Sequence, residues 1–414
     1  MNYKRDLVNI EEDVNVRSAI ADIVKSESED CPTFVCNVDD IIAKHELWRK
    51  LMPRIEPHYA VKCNDSDIVL RTIAALGLGF DCASKVEIER VLSIGVDPSK
   101  IIFAHTVKFD NHIKYAVENN VTLMTFDTEH ELRKMKATAP CVRAVIRIRY
   151  DSNAKVVLGT KFGCDPYTEA PGLLELAKSV GIDVVGVSFH VGSGSKDFVS
   201  FYNAIHSANH VFGIAKDLGL HFDLLDIGGG FPGKPSDSIE TFAEHVNAAI
   251  EECFSDPKIR IISEPGMYFV ESAFTLACSI YGVTESVVQD ENVYNYFVSD
   301  GVFGNFTSVV SYDMDVLPEA LRNDEGEKYL SVIRGPTTDA HDVIPRTFLL
   351  PKMKYGDYII FHYMGSYTSV LTTPFNGFGE SHYYYVVSKD NWCRLQSSKL
   401  PLPNSYCNLL CEKN

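Results

Sequence analysis

Between residues 58 and 266, short apolar runs alternate with stretches in which apolar residues recur every three or four positions. The runs, such as HYAVKC, AVIRIRY and RIISEPG, are rich in β-branched residues, and the intervening stretches, such as SDIVLRTIAALG, often end at glycine or asparagine. The first pattern is typical of buried strands and the second of amphipathic helices. About eight such units in roughly 210 residues predict an α/β fold in which a parallel sheet closes into a TIM-like (β/α)8 barrel. A doubly wound open sheet is the competing fold.

After Gly266 the pattern changes to strand-like segments separated by glycine and aspartate, such as GDYIIFHYMGSY and HYYYVVSKD. Little helical periodicity remains, which predicts an antiparallel all-β domain. The strand-like run PTFVCNV at 32–38 is expected to pair with this domain. We therefore predict an N-terminal segment at 1–40, a barrel at 41–266, a C-terminal β domain at 267–392 and a loosely ordered tail, containing Pro and Ser, at 393–414.

The chain has 414 residues and 45% hydrophobic content, enough for two domains with sizeable cores. No apolar run approaches the roughly 20 residues that cross a bilayer, and the charged start lacks the apolar centre of a signal peptide. Eleven cysteines without metal-ligand spacing indicate reduced thiols in the cytoplasm and no metal site. The net charge of −17 argues against a nucleic-acid or acidic-membrane partner and fits a soluble enzyme.

Polar residues and glycines fall near the predicted carboxyl ends of the barrel strands, where such barrels carry their functional groups. Each has an ordinary structural explanation: Lys62 can pair with Asp81 or reach solvent, His190 can be a hydrogen-bonded core residue, and tight loops often need glycine. Together, however, a lysine, a glycine-rich phosphate site, an imidazole and an acid are the groups that pyridoxal phosphate requires. The residues concerned are Lys62, Asp81, Arg147, His190, Gly228–Gly230 and Glu264.

The segments YAVKCND, GFDCAS, GVSFHVGSG, LLDIGGGFPG, EPG, SYD, GPTTD and MGSYT…FNGF resemble, in this order, the eukaryotic ornithine decarboxylase family. That group of barrel-type pyridoxal-phosphate decarboxylases also contains the antizyme inhibitors. The resemblance implies an alanine-racemase-like barrel, a C-terminal β domain and a homodimer with shared active sites. It also implies pyridoxal 5'-phosphate as cofactor and decarboxylation of a basic amino acid, most simply L-ornithine to putrescine in polyamine biosynthesis.

The resemblance also implies roles for individual residues. Lys62 would bond the cofactor aldehyde, His190 would stack on the cofactor ring, and Glu264 would hold the pyridine nitrogen. Asp313 and Asp339 would receive the distal ammonium of the substrate. The rest of the cofactor pocket would comprise Asp81, Arg147, Ser193, Gly228, Gly229, Gly230 and Tyr367, and the pair Lys161 and Asp342 would bridge the dimer.

Three positions depart from the family pattern. Met267 stands where the family usually has an arginine that contacts the cofactor phosphate, which predicts weaker cofactor binding. Thr338 replaces a cysteine that helps to protonate the product at Cα. Because a hydroxyl is far less acidic than a thiol, this predicts slower or misdirected protonation and an aldehyde by-product. Met314 replaces a histidine beside Asp313, which favours a longer substrate such as lysine.

The principal alternative is a non-catalytic homologue that captures antizyme. Residues 112–135 resemble the family's antizyme-binding surface, although an exposed amphipathic helix and the next strand explain the same pattern. Met267 favours this alternative, because antizyme inhibitors also lack the arginine. The cofactor set and both substrate carboxylates favour the enzyme, since a chain relieved of catalysis has no physical need of them. A third possibility is an enzyme altered in substrate or product.

Overall fold

The computed structural model describes residues 7–26, 31–152, 154–156, 158–194, 197–288, 290–322 and 326–408. They form two compact units. The barrel unit comprises residues 44–63 and 73–268, and the β unit comprises the described parts of 1–43, 64–72 and 269–414. The predicted barrel limits of 41–266 lie within a few residues of the first unit, but the sequence pattern did not indicate that residues 64–72 group with the second.

The N-terminal part contributes two strands to the β unit rather than the single strand predicted. The first strand is followed by a helix, and the second runs directly into another helix. The elements are β1 (Leu7–Glu11), α1 (Val16–Ser26), β2 (Thr33–Asn37) and α2 (Val38–Leu51).

Eight parallel strands close the barrel in the order β10-β3-β4-β5-β6-β7-β8-β9, which confirms the predicted TIM-like architecture. The strands are β3 (Ile55–Ala60), β4 (Gly79–Cys82), β5 (Ile101–Phe103), β6 (Leu123–Phe126), β7 (Arg143–Arg147), β8 (Asp183–Ser188), β9 (Leu224–Asp226) and β10 (Arg260–Ser263). Helices alternate with them: α3 (Asp67–Ala75), α4 (Lys85–Ser93), α5 (Asp110–Glu118), α6 (Glu129–Thr138), α7 (Ala170–Val180), α8 (Val199–Asp217) and α9 (Ile239–Cys253).

Local sequence signals fix where several of these helices begin and end. Ser84, Thr128 and Ser238 each accept a hydrogen bond from the backbone N–H three residues later, which caps α4, α6 and α9. Gly181 ends α7 in the left-handed conformation at φ +68°, which glycine adopts without a steric penalty. Apolar side chains from β5, β7 and β10, including Ile102, Val145 and Ile262, pack together in the barrel core.

The β unit contains a ten-stranded sheet among the described residues, in the main order β15-β14-β12-β11-β2-β17-β1-β18, with β16 and β13 extending from β11. Its remaining elements are α10 (Met267–Val270), β11 (Phe274–Val288), β12 (Glu291–Val298), α11 (Thr307–Ser311), β13 (Leu317–Ala320), β14 (Lys328–Arg334), β15 (Val343–Pro351), β16 (Tyr358–His362), β17 (His382–Ser388), α12 (Lys389–Gln396) and β18 (Cys407–Asn408). Residue 267 begins α10, which lies across the boundary between the two units.

Strand pairing in this sheet is mixed. The hairpin of β11 and β12 is antiparallel, as are β14 with β15 and β11 with β2, whereas β12 with β14 and β17 with both β1 and β2 are parallel. The all-β character predicted for this domain is therefore confirmed, and its strands are antiparallel only in part. Parallel neighbours come from distant parts of the chain, so hairpin-like sequence patterns do not reveal them.

The described part of the tail is ordered, which contradicts the loose segment predicted for 393–414. Helix α12 runs to Gln396, with Trp392 and Leu395 buried, and Cys407 and Asn408 pair in parallel with Val8 and Asn9. Prolines and serines suggested disorder, but the pairing partner lies at the other end of the chain. Residues 409–414 lie outside the described residues. Within the described ranges, no helix has both the length and the apolar character needed to span a bilayer.

Candidate active site

The barrel residues singled out from the sequence lie in or just after the strands, at their carboxyl ends. Lys62 occupies a 3₁₀ turn, Val61–Cys63, directly after β3. Asp81 lies within β4, and Arg147 is the last residue of β7. His190 and Gly228 each follow a strand by two residues, and Glu264 follows β10 directly. Because the strands of the barrel are parallel, these positions share one mouth.

Lys62 forms an ion pair with Asp81. Its Nζ contacts Asp81 Oδ2, and the Asp81 side chain is wholly buried while that of Lys62 is 40% exposed. A buried carboxylate needs a counter-charge, so Asp81 holds the lysine while leaving it accessible from the mouth. The other oxygen, Oδ1, is buried without a hydrogen-bond partner among the described residues. Lys62 is thus both paired and accessible from the mouth.

The loop after β10 packs closely on the turn that carries Lys62. The carbonyl oxygen of Pro265 accepts a hydrogen bond from the N–H of Ala60 at 3.3 Å. A Cβ atom at Gly266 would lie 2.7 Å from the Cβ of Cys63, so only glycine permits this approach. The EPG sequence therefore places the buried Glu264 beside the lysine turn.

His190 is held as a neutral imidazole. The N–H of Gly192 donates to its Nδ1 at 2.9 Å, which places the ring proton on Nε2. Burial, followed by the positive charges of Arg147 and Lys62, lowers the pKa of His190 well below its usual value. A flat, uncharged ring at the barrel mouth is suited to stacking on another aromatic ring. Ser193, farther along the same loop, forms a backbone bridge with Val156.

The three glycines after β9 form a tight loop against the His190 loop. Gly228 and Gly230 have φ values of +64° and +107°, and added Cβ atoms would lie 2.1 Å from the Phe189 oxygen and 2.2 Å from the Gly192 oxygen. At Gly229, a Cβ atom would lie 2.5 Å from the Glu264 oxygen. No other residue type fits these positions, and glycine-rich backbone of this kind lets an oxyanion approach closely.

Asp226, the last residue of β9, adds a second buried acid that was not predicted. Its Oδ1 accepts the N–H of Gly228 at 2.9 Å. Burial raises the pKa of Asp226 to about 7, and the pKa of Glu264 is raised well above its usual value by burial and then by the charges of Asp226 and Asp81. The two carboxyl groups interact, so together they retain a proton near neutral pH.

The remaining predicted residues belong to the β unit. Asp313 and Tyr367 both have left-handed backbone, at φ +50° and +51°, which is uncommon for residues other than glycine and is concentrated at functional positions. Thr338 donates from Oγ1 and from its N–H to Oδ1 of Asn376, at 3.1 and 3.0 Å. Asp339 accepts the N–H of His341 at 2.8 Å, which lowers the pKa of that carboxyl.

Comparison with known proteins agrees with this geometry. The family described as pyridoxal-dependent decarboxylase, pyridoxal binding domain, matches residues 38–271, and the C-terminal sheet domain of the same enzymes matches residues 267–365. The chain belongs to the pyridoxal-dependent decarboxylases.

Individual relatives cover nearly the whole decarboxylase. Ornithine decarboxylase 2 of Drosophila melanogaster is 43% identical over 89% of this chain and 94% of its own. Antizyme inhibitor 2 of Xenopus laevis is 40% identical over 94% of this chain and 88% of its own. The structure of the Paramecium bursaria Chlorella virus arginine decarboxylase bound to agmatine has a TM-score of 0.85 and 38% identity, over 89% of this chain and all of that one.

The mouth of the decarboxylase barrel fits its family's cofactor, pyridoxal phosphate. The loop at Gly228–Gly230 has no room for side chains, which suits a bound phosphate. Lys62 supplies an accessible amine, and the Oδ1 of Asp81, which has no hydrogen-bond partner in the described part of the chain, adds an acceptor beside it. The carboxyl pair of Asp226 and Glu264 supplies the acid that a pyridine nitrogen requires.

Some contacts around the candidate site of the decarboxylase were not predicted from the sequence. Asp226 stands directly before a strand-end glycine loop, in LLDIGGG, and this placement was an available signal. Arg346 donates to Asp313 at 2.8 Å across 33 residues, which no local pattern indicates.

Asp342, for which the resemblance implies a dimer bridge, is buried within its own unit. Its carboxylate accepts the N–H groups of Val302 and Thr337, both at 2.9 Å.

Proposed function

We propose that this decarboxylase converts a basic amino acid, principally L-ornithine, to carbon dioxide and a diamine, here putrescine. The observation that carries the proposal is the cluster at the barrel mouth. An accessible lysine paired with a buried aspartate lies beside a neutral imidazole, a glycine loop and a pair of carboxyl groups that retain a proton. The Drosophila relative supports ornithine as the substrate.

Within this site, Lys62 is the residue that would bond the cofactor aldehyde. Its pairing with Asp81 fixes the position of Nζ, and its 40% exposure lets a substrate amine approach it. When bound, pyridoxal phosphate supplies an electron sink for the electron pair that remains on Cα when carbon dioxide leaves. Ser193 and the glycines at 228–230 would hold its phosphate, together with Tyr367. Met267 offers no charge to that phosphate, so we expect weaker cofactor binding than an arginine would give.

Acid and imidazole groups give the site its electrostatic character. Glu264, with Asp226 behind it, holds a proton at the pyridine nitrogen, because burial makes the loss of that proton unfavourable. His190 would stack on the cofactor ring without adding charge, because burial keeps the imidazole neutral. The positive charges of Lys62 and Arg147 act in the opposite direction and lower the pKa of Glu264. They offset part of the negative charge of the acids at the mouth.

Substrate selection falls to the β unit in this proposal. Asp313 and Asp339 receive the distal ammonium of a basic side chain, and the apolar Met314 beside Asp313 leaves room for lysine as a second substrate. Thr338, which directly precedes Asp339, is the proposed source of the proton for Cα. A threonine hydroxyl is a weak acid, so we expect slow protonation at Cα and some aldehyde product.

We further propose that the enzyme is a cytoplasmic homodimer whose active sites combine the barrel of one copy with the β unit of another. All ten cysteines in the described part of the chain are free thiols, which supports a reducing compartment. Near Lys161 the barrel carries a cavity of about 840 Å³, and Phe109 on its rim is 73% exposed. Val107, which also lines this cavity, is 52% exposed, and neighbouring exposed apolar side chains are typical of an interface.

Mixing two inactive variants tests the shared site. Lys62→Ala changes the barrel contribution and Asp339→Asn the β-unit contribution. We expect each variant alone to lose about 10²-fold or more in kcat/KM. A refolded equimolar mixture should regain about a quarter of wild-type activity, because half of the dimers are mixed and each contains one intact site. A mixture no more active than its components would contradict the shared site.

Antizyme capture is the second candidate, favoured by the 40% identity to Xenopus antizyme inhibitor 2 over 94% of this chain. Residues 112–135, which resemble the family's antizyme-binding surface, include β6 and parts of α5 and α6. The ion pair of Arg133 and Glu129 on α6 is exposed, with both side chains more than half accessible. These residues are open to a partner in the isolated chain.

A product assay decides between the two functions. Purified protein with added pyridoxal phosphate is given carboxyl-labelled ornithine or lysine, and carbon dioxide, diamine and aldehyde are measured. The proposal predicts labelled carbon dioxide with ornithine, and mainly putrescine. No carbon dioxide from either amino acid at saturating cofactor, together with tight binding of antizyme, would replace it with the non-catalytic function.

A further inference from the structure

The carboxylates assigned to the substrate's distal ammonium are already in contact with basic side chains of the β unit. Arg346, on β15, donates from Nη2 to Asp313 Oδ1 at 2.8 Å and from Nη1 to Asp315 Oδ1 at 2.5 Å. The Nδ1 of His341 lies 3.0 Å from Asp339 Oδ1. Each assigned carboxylate therefore has a nitrogen partner from its own unit, and Arg346 is always charged.

Arg346 has the least exposed side chain of the three charged residues in this cluster. Its side chain is 34% exposed, whereas the side chains of Asp313 and Asp315 are 81% and 50% exposed. Contact with both carboxylates raises the pKa of Arg346. The guanidinium is therefore anchored at two points, and the cluster carries a net charge of −1 instead of the −2 of its two acids.

A substrate ammonium at Asp313 meets a carboxylate whose Oδ1 already accepts a hydrogen bond from Arg346. Binding of the ammonium therefore requires displacement of one Nη contact or sharing of the carboxylate. Either event removes part of the attraction that a lone carboxylate would offer. An uncharged side chain of the same length does not bind the Asp313 carboxylate through charge. Its binding is therefore not weakened by Arg346.

We propose that Arg346 is a specificity-determining residue that competes with the substrate's distal cation at Asp313 and so weakens the preference of the site for basic amino acids. The inference rests on the proposed function, because it takes Asp313 as part of the substrate site. It assigns to the site a class of secondary substrates, namely uncharged aliphatic amino acids of ornithine's length. Norleucine, in which a methyl group replaces the distal ammonium, represents this class.

The test compares Arg346→Gln with the wild-type holoenzyme. Glutamine keeps much of the side-chain length and removes the charge. We expect KM for ornithine to fall about fivefold with little change in kcat, a size typical of one exposed charge pair. The ratio of kcat/KM for ornithine to that for norleucine should rise by the same factor. Calorimetry should show putrescine binding about fivefold more tightly to the variant holoenzyme.

Arg322→Gln is the matched control, because Arg322 is also a part-exposed arginine of the β unit and pairs with Asp357 outside the proposed site. Arg322→Gln should leave KM for ornithine, the ratio of kcat/KM for ornithine to that for norleucine, and the affinity for putrescine unchanged. Arg346→Lys, which keeps the charge, should remain close to wild type.

Several results would overturn the inference. If Arg346 only positions Asp313, the glutamine variant will show a higher KM and weaker putrescine binding. Equal changes in both glutamine variants would show a general charge effect. If calorimetry detects putrescine binding neither to the wild-type nor to the Arg346→Gln holoenzyme, the inference is also refuted. Failure of the proposed function is distinct, since it appears as absence of carbon dioxide from ornithine in the wild type.

Discussion

The barrel mouth and the carboxylate region of the β unit use acidic residues in opposite ways. At the mouth, Asp226 and Glu264 are buried, and burial raises the pKa of both. In the β unit, Asp339 is accessible, and hydrogen bonds from His341 lower the pKa of its carboxyl. The first environment stores a proton and the second keeps a negative charge available.

This difference matches two separate tasks in the proposed reaction. Chemistry at the cofactor needs a proton kept at a fixed atom, which a water-excluded pair of carboxyl groups provides. Recognition of a charged side chain needs carboxylates that ionise and exchange partners, and solvent access permits this. The contribution of each contact to the free energy of unfolding also differs. Loss of a buried polar contact is costly, whereas a single exposed ion pair contributes little. Substitutions at the mouth should therefore have the larger effects.

Gly230→Ala should cause the greatest damage. The new Cβ atom would lie 2.2 Å from the Gly192 oxygen at a backbone φ of +107°. We expect a loss of roughly 2 kcal/mol in stability, from strain at one such position, and at least tenfold weaker cofactor affinity, measured by equilibrium dialysis. Gly213→Ala in α8, where nothing lies within 4 Å, is the control and should be neutral or slightly stabilising. Similar behaviour of both variants would contradict the role of the tight loop.

Asp226→Asn should change the pH dependence of stability in the cofactor-free protein. The folded-state pKa of Asp226 is about 7, against an ordinary value of 3.8. The native state therefore holds a proton that the unfolded chain releases, so this group's contribution to stability is complete below pH 4 and is lost as pH rises to about 7. Removing the acid should flatten that decline. Urea unfolding between pH 4.5 and 8 measures it, and an unchanged slope would show that Asp226 is ionised in the fold.

Thr338→Cys should have the smallest effect, and only on the product. A thiol is the stronger acid, so the proportion of diamine over aldehyde should rise several-fold while cofactor affinity stays the same. Mass spectrometry of the products after many turnovers gives the ratio. If wild type already forms only the diamine, the hydroxyl of Thr338, which donates to Asn376, is not a defective proton source.

The same contrast explains what the sequence could and could not predict. The barrel follows from local periodicity, and its candidate site residues stand at strand ends, so the pattern alone could locate Lys62, Asp81, His190 and Glu264. Contacts between residues that are distant in the sequence could not be predicted in this way. Arg346 reaches Asp313 from 33 residues away, and the tail's Cys407 pairs with Val8. Asp226 could have been found, because it precedes the glycine loop, but its raised pKa depends on burial and on Glu264.

Mapping the lysine that carries the cofactor tests the central assignment most directly. The protein is incubated with pyridoxal phosphate, reduced with borohydride and digested, and the modified peptide is sequenced by mass spectrometry. The account predicts a single major adduct on Lys62, within the segment HYAVKCND, and its absence from Lys62→Ala. An adduct mainly on another lysine, such as the buried Lys108, or no adduct at saturating cofactor, would contradict the assignment of the barrel mouth as the site of catalysis.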